Sequence, residues 1–146
     1  MSGPVSLTDA AYAAGFFDGE GCIMISTRYD KKRRCTFFLS ISINQVDRRP
    51  LDWLKARFGG SVHKKTSSRS YDGVEFVQWS YVASTATACA FLRTIRPFLI
   101  VKAAQADLAF EFQETVAKQW QKVSEETLVK RATLASQMKA LKRQRS

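Results

Sequence analysis

The sequence predicts an α+β domain, and three observations lead there. Stretches with strand character come in two pairs, each pair joined by a turn-forming segment. Each pair is preceded by a segment with helical spacing or helical composition. Two more helical segments follow the second pair, so the order is α-β-β-α-β-β-α-α, with two similar α-β-β units over 8–44 and 49–82. The 146 residues suffice for one domain with a real core and are too few for two.

The first helix starts near Thr8. Ser6 or Thr8 can cap it, and Ser6 with Asp9 has the spacing of a weak capping box. Ala11, Gly15 and Gly19 follow at four-residue intervals, so one stripe of this helix is nearly without side chains and suits a close helix pair. Tyr12 and Phe16 form a bulky ridge beside it. D-G-E-G (18–21) is expected to stop the helix, with Gly19 and Gly21 taking open conformations. Asp18 and Glu20 then stand at a helix C-terminus, where the macrodipole disfavours negative charge and a cation is welcome.

Cys22–Tyr29 reads as a strand by its β-branched content, and D-K-K-R-R (30–34) as a basic turn. Cys35–Asn44 alternates, with Phe37, Leu39, Ile41 and Ile43 on one face and Thr36, Phe38, Ser40 and Ser42 on the other. Leu51–Phe58 has apolar positions at helical spacing and is terminated by Gly59-Gly60. Ser61–Ser67 and Val74–Val82 form the second hairpin, turned by Arg69–Gly73. Val77, Trp79 and Tyr81 share one face of its last strand. A helix over Ala86–Ile95 is broken at Arg96-Pro97, and another runs from Phe98 to Trp120 with Ala104, Leu108, Phe112 and Val116 in line. The domain is thus expected over 1–120. Residues 121–146 form a basic tail, helical or partly disordered, in which Leu128, Leu134, Met138 and Leu141 can line a weak amphipathic helix.

The formal net charge is +10, and it is concentrated: residues 21–70 hold twelve Lys and Arg against three acids, a net of +9. Such a focus points to a polyanion, nucleic acid first. Cys22, Cys35 and Cys89 fit neither a disulfide framework nor a zinc site and read as reduced and buried. The apolar runs are too short to cross a membrane, and there is no secretion or transit signal, so the expected location is intracellular, in a bacterial cytoplasm or an organelle.

One sheet face is therefore apolar and takes the helices. The other carries Ser26, Arg28, Thr36, Ser40, Ser42, His63, Lys65, Arg69, Gln78 and Ser80, side chains of the kinds that meet base edges. A two-stranded ribbon fits the B-DNA major groove, about 12 Å wide. Lys31, Lys32, Arg33 and Arg34 at the hairpin tip, with Arg48 and Arg49, are placed to meet phosphates.

Y-A-A-G-F-F-D-G-E-G-C-I resembles the signature of the LAGLIDADG homing endonucleases, with Gly15, Phe16, Asp18, Gly19, Glu20 and Gly21 on its pattern. The likeness continues in I-N-Q-V-D (43–47), F-G-G-S-V (58–62), I-R-P-F-L-I-V-K (95–102) and A-D-L (106–108), and covers roughly 7–115. Two departures are mild: Ala13 stands for the usual leading Leu, and Glu20 for the second Asp.

The resemblance implies an αββαββα domain whose saddle-shaped antiparallel sheet lies on double-stranded DNA. With one motif copy the chain would be a homodimer, paired through Ala11, Gly15, Asp18 and Gly19, that cuts both strands of a long, roughly palindromic target. Glu20 and the Gly19 carbonyl would hold Mg²⁺, with Mn²⁺ or Ca²⁺ also able to bind. Gln45 matches the residue that positions solvent, Lys102 the basic active-site residue, and Arg49 more loosely a nearby arginine. An RNA-splicing maturase and a DNA-binding regulator without catalysis are the alternatives on this fold. Retention of Glu20, Gln45 and Lys102 together favours the nuclease.

Overall fold

The computed structural model describes residues 4–67, 76–116 and 123–144. Helix α1 (Leu7–Glu20) runs without a loop into β1 (Gly21–Tyr29), which turns into β2 (Cys35–Gln45). Helix α2 (Arg49–Phe58) leads into β3 (Ser61–Ser67) and β4 (Phe76–Ser84). Then come α3 (Thr85–Ile95), a 3-10 turn at Arg96–Phe98, α4 (Ala103–Val116) and α5 (Glu125–Arg143). The four strands form one antiparallel sheet in the order β1-β2-β4-β3.

Directly opposed residues share a face, so the register sorts every side chain. Ile23, Ile25, Leu39, Ile41, Ile43, Tyr81 and Ala83 all point to the helix side and are buried. Helices α1 and α3 close over them with Ala13, Ala14, Phe17, Phe91, Leu92 and Ile95. Phe91 is the hub, with its ring 5.4 Å from Phe17, 4.8 Å from Phe58 and 6.3 Å from Tyr81, all edge-on.

Several boundaries depart from expectation for identifiable reasons. Helix α1 does not stop at Gly19: it continues to Glu20, capped at its start by the Ser6 hydroxyl, which accepts from the Asp9 amide at 3.1 Å. Gly21 has an extended backbone (φ −83°), so its need is steric: a Cβ there would run into the Phe17 ring. Helix α2 starts at Arg49, two residues early, with Pro50 in its first turn. The helix expected from Phe98 begins only at Ala103, because the Asp18 carboxylate takes the amides of Ile100, Val101 and Lys102. On α4 the buried residues are Gln105, Ala106, Ala109 and Phe112 rather than the Ala104 stripe, and Ala104 is exposed. The turn Arg69–Gly73, Val74 and residues 117–120 lie outside the described residues. Of the cysteines only Cys89 is buried; Cys22 is intermediate, and Cys35 is exposed because it sits at the far end of the hairpin, beyond the helical cover.

The two sheet edges are treated differently. β1 is flanked by α5, whose Leu134, Ala135 and Met138 are buried. Ser124 caps α5, and Arg131 ties it to α4 by donating to the Thr115 carbonyl at 2.8 Å. The opposite edge, β3, carries the exposed charges of Lys64 and Lys65, which discourage pairing with another strand.

Candidate active site and nucleic-acid face

The site is built where α1 meets β1. Gly19 and Glu20 are both exposed in the last turn of the helix. The next residue, Gly21, pairs with Ile43, so β1 begins at the helix end and Gln45 closes β2 two residues further on. Glu20 therefore stands at the head of the sheet, one residue before the Gly21–Ile43 pair, with Gln45 two residues beyond that pair on β2.

Asp18 turns the other way. Its Oδ2 accepts from the amides of Ile100 (2.7 Å) and Val101 (3.1 Å), and its Oδ1 from that of Lys102 (3.0 Å). Burial alone raises its pKa. The amides of Ile100, Lys102 and Val101 and the Lys102 ammonium outweigh burial and hold the carboxyl below its usual 3.8. Lys102 also closes the first turn of α4, since its carbonyl accepts from Ala106 at 2.9 Å. An acid at the unfavourable end of α1 is thus also an acid at the favourable end of α4.

Lys102 is 1% exposed, and its Nζ donates to the Asp18 carbonyl at 2.7 Å, 5.9 Å from the Phe17 ring centre. The ammonium supplies positive charge beneath carbonyls that α1 leaves unpaired. Arg49, exposed at the first turn of α2, is gripped by Asp47 through Nη2 at 2.6 Å, and the pairing holds the Asp47 carboxyl down at about 2. Arg48 lies 4.4 Å over the Trp79 ring and is bound to Asp52.

The register sets most of the polar residues on the face away from the helices. Arg28 opposes Thr36, Ser42 lies between Cys22 and Val82, and Ser80 lies between Asn44 and His63, with Lys65 opposite Gln78. Ser26 opposes Phe38, and its hydroxyl is 3.5 Å from that of Ser40. Ser40 is only 5% exposed, so it backs the face rather than presenting itself. The tip is organised by Asp30, whose Oδ1 accepts from the amides of Lys32 and Arg34 at 2.9 Å and whose Oδ2 accepts from Arg34 Nε. Lys31, Lys32, Arg33 and Arg34 are all exposed. Arg69 lies outside the described residues.

Asn44 also belongs to this face. It shares the outward face with Ser42 and Ser80, and its Oδ1 is buried with no hydrogen-bond partner among the described residues. The period-2 alternation that singled out Ser40 and Ser42 reaches Asn44 one step later.

The donor set at the helix end fits a hard divalent ion: an exposed carboxylate, Glu20, and backbone carbonyl oxygen, at the negative end of a helix. Among the described residues no group of three His, Cys, Asp or Glu comes together. One chain alone therefore offers a fragment of a metal site.

A family model for the LAGLIDADG endonucleases matches residues 13–85. The homing endonuclease I-CvuI, solved in complex with its target in the presence of calcium, superposes with a TM-score of 0.74 at 20% identity over 92% of this chain and 82% of its own. The archaeal intron-encoded homing endonuclease I-Vdi141I, complexed with DNA, gives 0.74 at 20% identity, over 92% and 84%. The homing endonuclease I-TnaI gives 0.66 at 19%, over 92% and 93%. None of the curated proteins matches the chain by sequence. No helix among the described residues is long and apolar enough to cross a membrane.

Proposed function

The chain belongs to the LAGLIDADG endonuclease family, and from that premise we propose that it is a site-specific double-strand DNA endonuclease working as a homodimer on a long, roughly palindromic target. The observation that carries this is the exposed Glu20 at the end of α1, at the head of a polar, basic sheet face. A single carboxylate per chain is incomplete for metal-assisted hydrolysis and becomes sufficient when a second copy and the DNA phosphates bring more oxygen ligands.

Glu20 and the Gly19 carbonyl would hold Mg²⁺, which supplies charge neutralisation at the phosphate and acidification of water when bound. The remaining work falls to the chain. Gln45, at the end of β2, orients solvent by hydrogen bonding. Arg49, steadied by Asp47, faces phosphate charge. Lys102, fastened beneath the Asp18 carbonyl, fixes the last turn of α1 and with it the aim of Glu20. The ribbon β1–β2 lies along the major groove, with Arg28, Thr36 and Ser42 towards base edges and the Lys31–Arg34 tip on the backbone.

Glu20→Gln keeps the shape and removes the charge. We expect cleavage to fall on the order of 10²–10³-fold or more with DNA affinity kept, and EDTA to abolish cleavage by the wild type. Cleavage of a randomised target library reads both. Unchanged cutting by Glu20→Gln, or cutting in EDTA, overturns the assignment. The affinity should fall steeply with salt, with a log–log slope of about −0.9 per phosphate neutralised.

A further inference from the structure

Helix α5 brings a lysine to a cysteine. Leu134, Met138 and Lys142 follow at four-residue spacing, so they share one face of the helix. Leu134 and Met138 are buried and fix that face, and Arg131 anchors the helix to the Thr115 carbonyl. Lys142 is thereby delivered to β1, where its Nζ donates to Cys22 Sγ at 3.2 Å across 120 residues of sequence. Cys22 opposes Ser42 on the face away from the helices and is half-buried, which leaves its sulfur within reach of small solutes. Its other hydrogen-bond contact among the described residues is long, 4.0 Å to the Ile23 carbonyl. Cys35 is exposed and Cys89 buried, and among the described residues neither has an amine beside it. The pair thus sets an oxidisable sulfur against a nitrogen nucleophile, within the roughly 3–3.5 Å of a near-attack arrangement.

We propose that Cys22 and Lys142 form a peroxide-responsive modification site, which closes into a sulfur–nitrogen bridge and fastens α5 to β1. The Cys22 sulfur attacks the O–O bond of hydrogen peroxide. An S–O bond forms, the O–O bond breaks, and the second oxygen leaves as water with the thiol proton. Sulfur is thereby oxidised to a sulfenic acid and peroxide is reduced. Lys142 Nζ, after losing a proton to water, then attacks the sulfur. An S–N bond forms, the S–O bond breaks, and the hydroxide leaves as water with a second Nζ proton. A sulfenic acid condenses with a backbone nitrogen in the same way. Two thiols of a reductant reverse the bridge, leaving as a disulfide and restoring thiol and amine. The bridge removes the Lys142 charge from the head of the sheet and holds the tail helix on the β1 edge. It stands apart from the nuclease reading, because both reactive groups belong to one chain and neither holds the metal.

The test is hydrogen peroxide treatment of the full chain without DNA, followed by thiol blocking, intact mass and peptide mapping. The wild type should lose two hydrogens, about 2 Da, and yield a linked peptide pair joining Cys22 to Lys142 that dithiothreitol separates. Its melting temperature should rise on the order of 10 °C, since a closed loop of 120 residues constrains the unfolded chain. Cys22→Ser, with Cys35 and Cys89 in place, should form no link and show no rise. Lys142→Arg keeps the positive charge but stays protonated and cannot attack. Its sulfenic acid should be trapped by dimedone, again with no link. Both substitutions nearly conserve size at half-buried positions, and circular dichroism checks that each variant is folded. A wild type in which Cys22 stays a thiol, stops at sulfenic or sulfinic acid, or pairs with another cysteine overturns the proposal. So does the same mass loss in Lys142→Arg. A link without a rise in melting temperature overturns the claim that it fastens α5.

Discussion

Helices α1 and α2 each lead into a hairpin, yet they end in opposite ways. α1 has acids and no base in its last turn and passes straight into β1. α2 has Lys55 and Arg57 in its last turn and stops at Gly59 and Gly60, with φ of 80° and 88°. The α2 ending is self-sufficient: its bases suit the dipole, its glycines take the left-handed backbone, and the Tyr81 hydroxyl donates to the Gly59 carbonyl at 2.8 Å. The α1 ending is completed from a distance of more than eighty residues in sequence, by Lys102 and by the amides of 100–102. The same topological joint is stable on its own in one unit. In the other it leaves a carboxylate in solvent and is stabilised from outside.

The largest effect should come from the remote support. Lys102→Met keeps the aliphatic stem and removes the donor to the Asp18 carbonyl, a charged hydrogen bond in a buried place, so we expect a loss of about 3 kcal/mol. Lys55→Met, at the end of α2, is exposed and should stay within about 0.5 kcal/mol. Urea unfolding of the two variants compares them, and equal losses would mean that the two endings are not different in kind. Next is Gly60→Ala, at about 2 kcal/mol. Its backbone is left-handed, and a Cβ would come within 2.7 Å of the Val82 carbonyl, which cannot swing aside.

Asp18 gives a third, pH-dependent contrast. Its folded pKa lies below the unfolded 3.8, so its contribution is fully present above that value and is lost as the pH falls through the lower, folded one. Asp18→Asn should therefore cost about 1–2 kcal/mol at neutral pH, trimmed by solvent that reaches the carboxylate. The cost should shrink as acid protonates the wild type. A cost independent of pH down to pH 2 would show that the carboxylate charge is not what holds residues 100–102.

How much of this was legible follows from the range of each interaction. Residue alternation placed Leu39, Ile41 and Ile43 inward and Ser42, Gln78 and Ser80 outward, because strand period is local and the register preserved it. The small stripe on α1 was legible for the same reason, and Ala11, Gly15 and Gly19 are exposed. The start of α4 was not, since Pro97 and the helical spacing say nothing of a carboxylate arriving from residue 18. Lys102 was singled out as a basic site residue, but nothing near it in sequence signals that it is 1% exposed. Nor does the chain reveal that Ser40 is shielded, a consequence of the neighbouring strand. The tail kept several readings open because Leu134 and Met138 alone do not say which surface covers them; α4 and β1 do.

The smallest stability effect should have the opposite sign. Gly15 lies inside α1, exposed, and a Cβ there would have no neighbour within 4 Å among the described residues. In the single chain Gly15→Ala should therefore stabilise, by about 0.5–1 kcal/mol, through the lower backbone entropy of alanine in a helix. In a dimer the same methyl sits where two backbones meet, so self-association and cleavage should both fall while thermal stability at low concentration rises. No such penalty attaches to Gly60→Ala beyond its loss of stability, because its crowding is within the chain. Dilution calorimetry and cleavage of a supercoiled target measure the two effects on one sample. A Gly15→Ala protein that is more stable and cuts as fast as the wild type would remove the reason for glycine on this stripe, and with it the argument that the bare face of α1 is kept bare for a second helix.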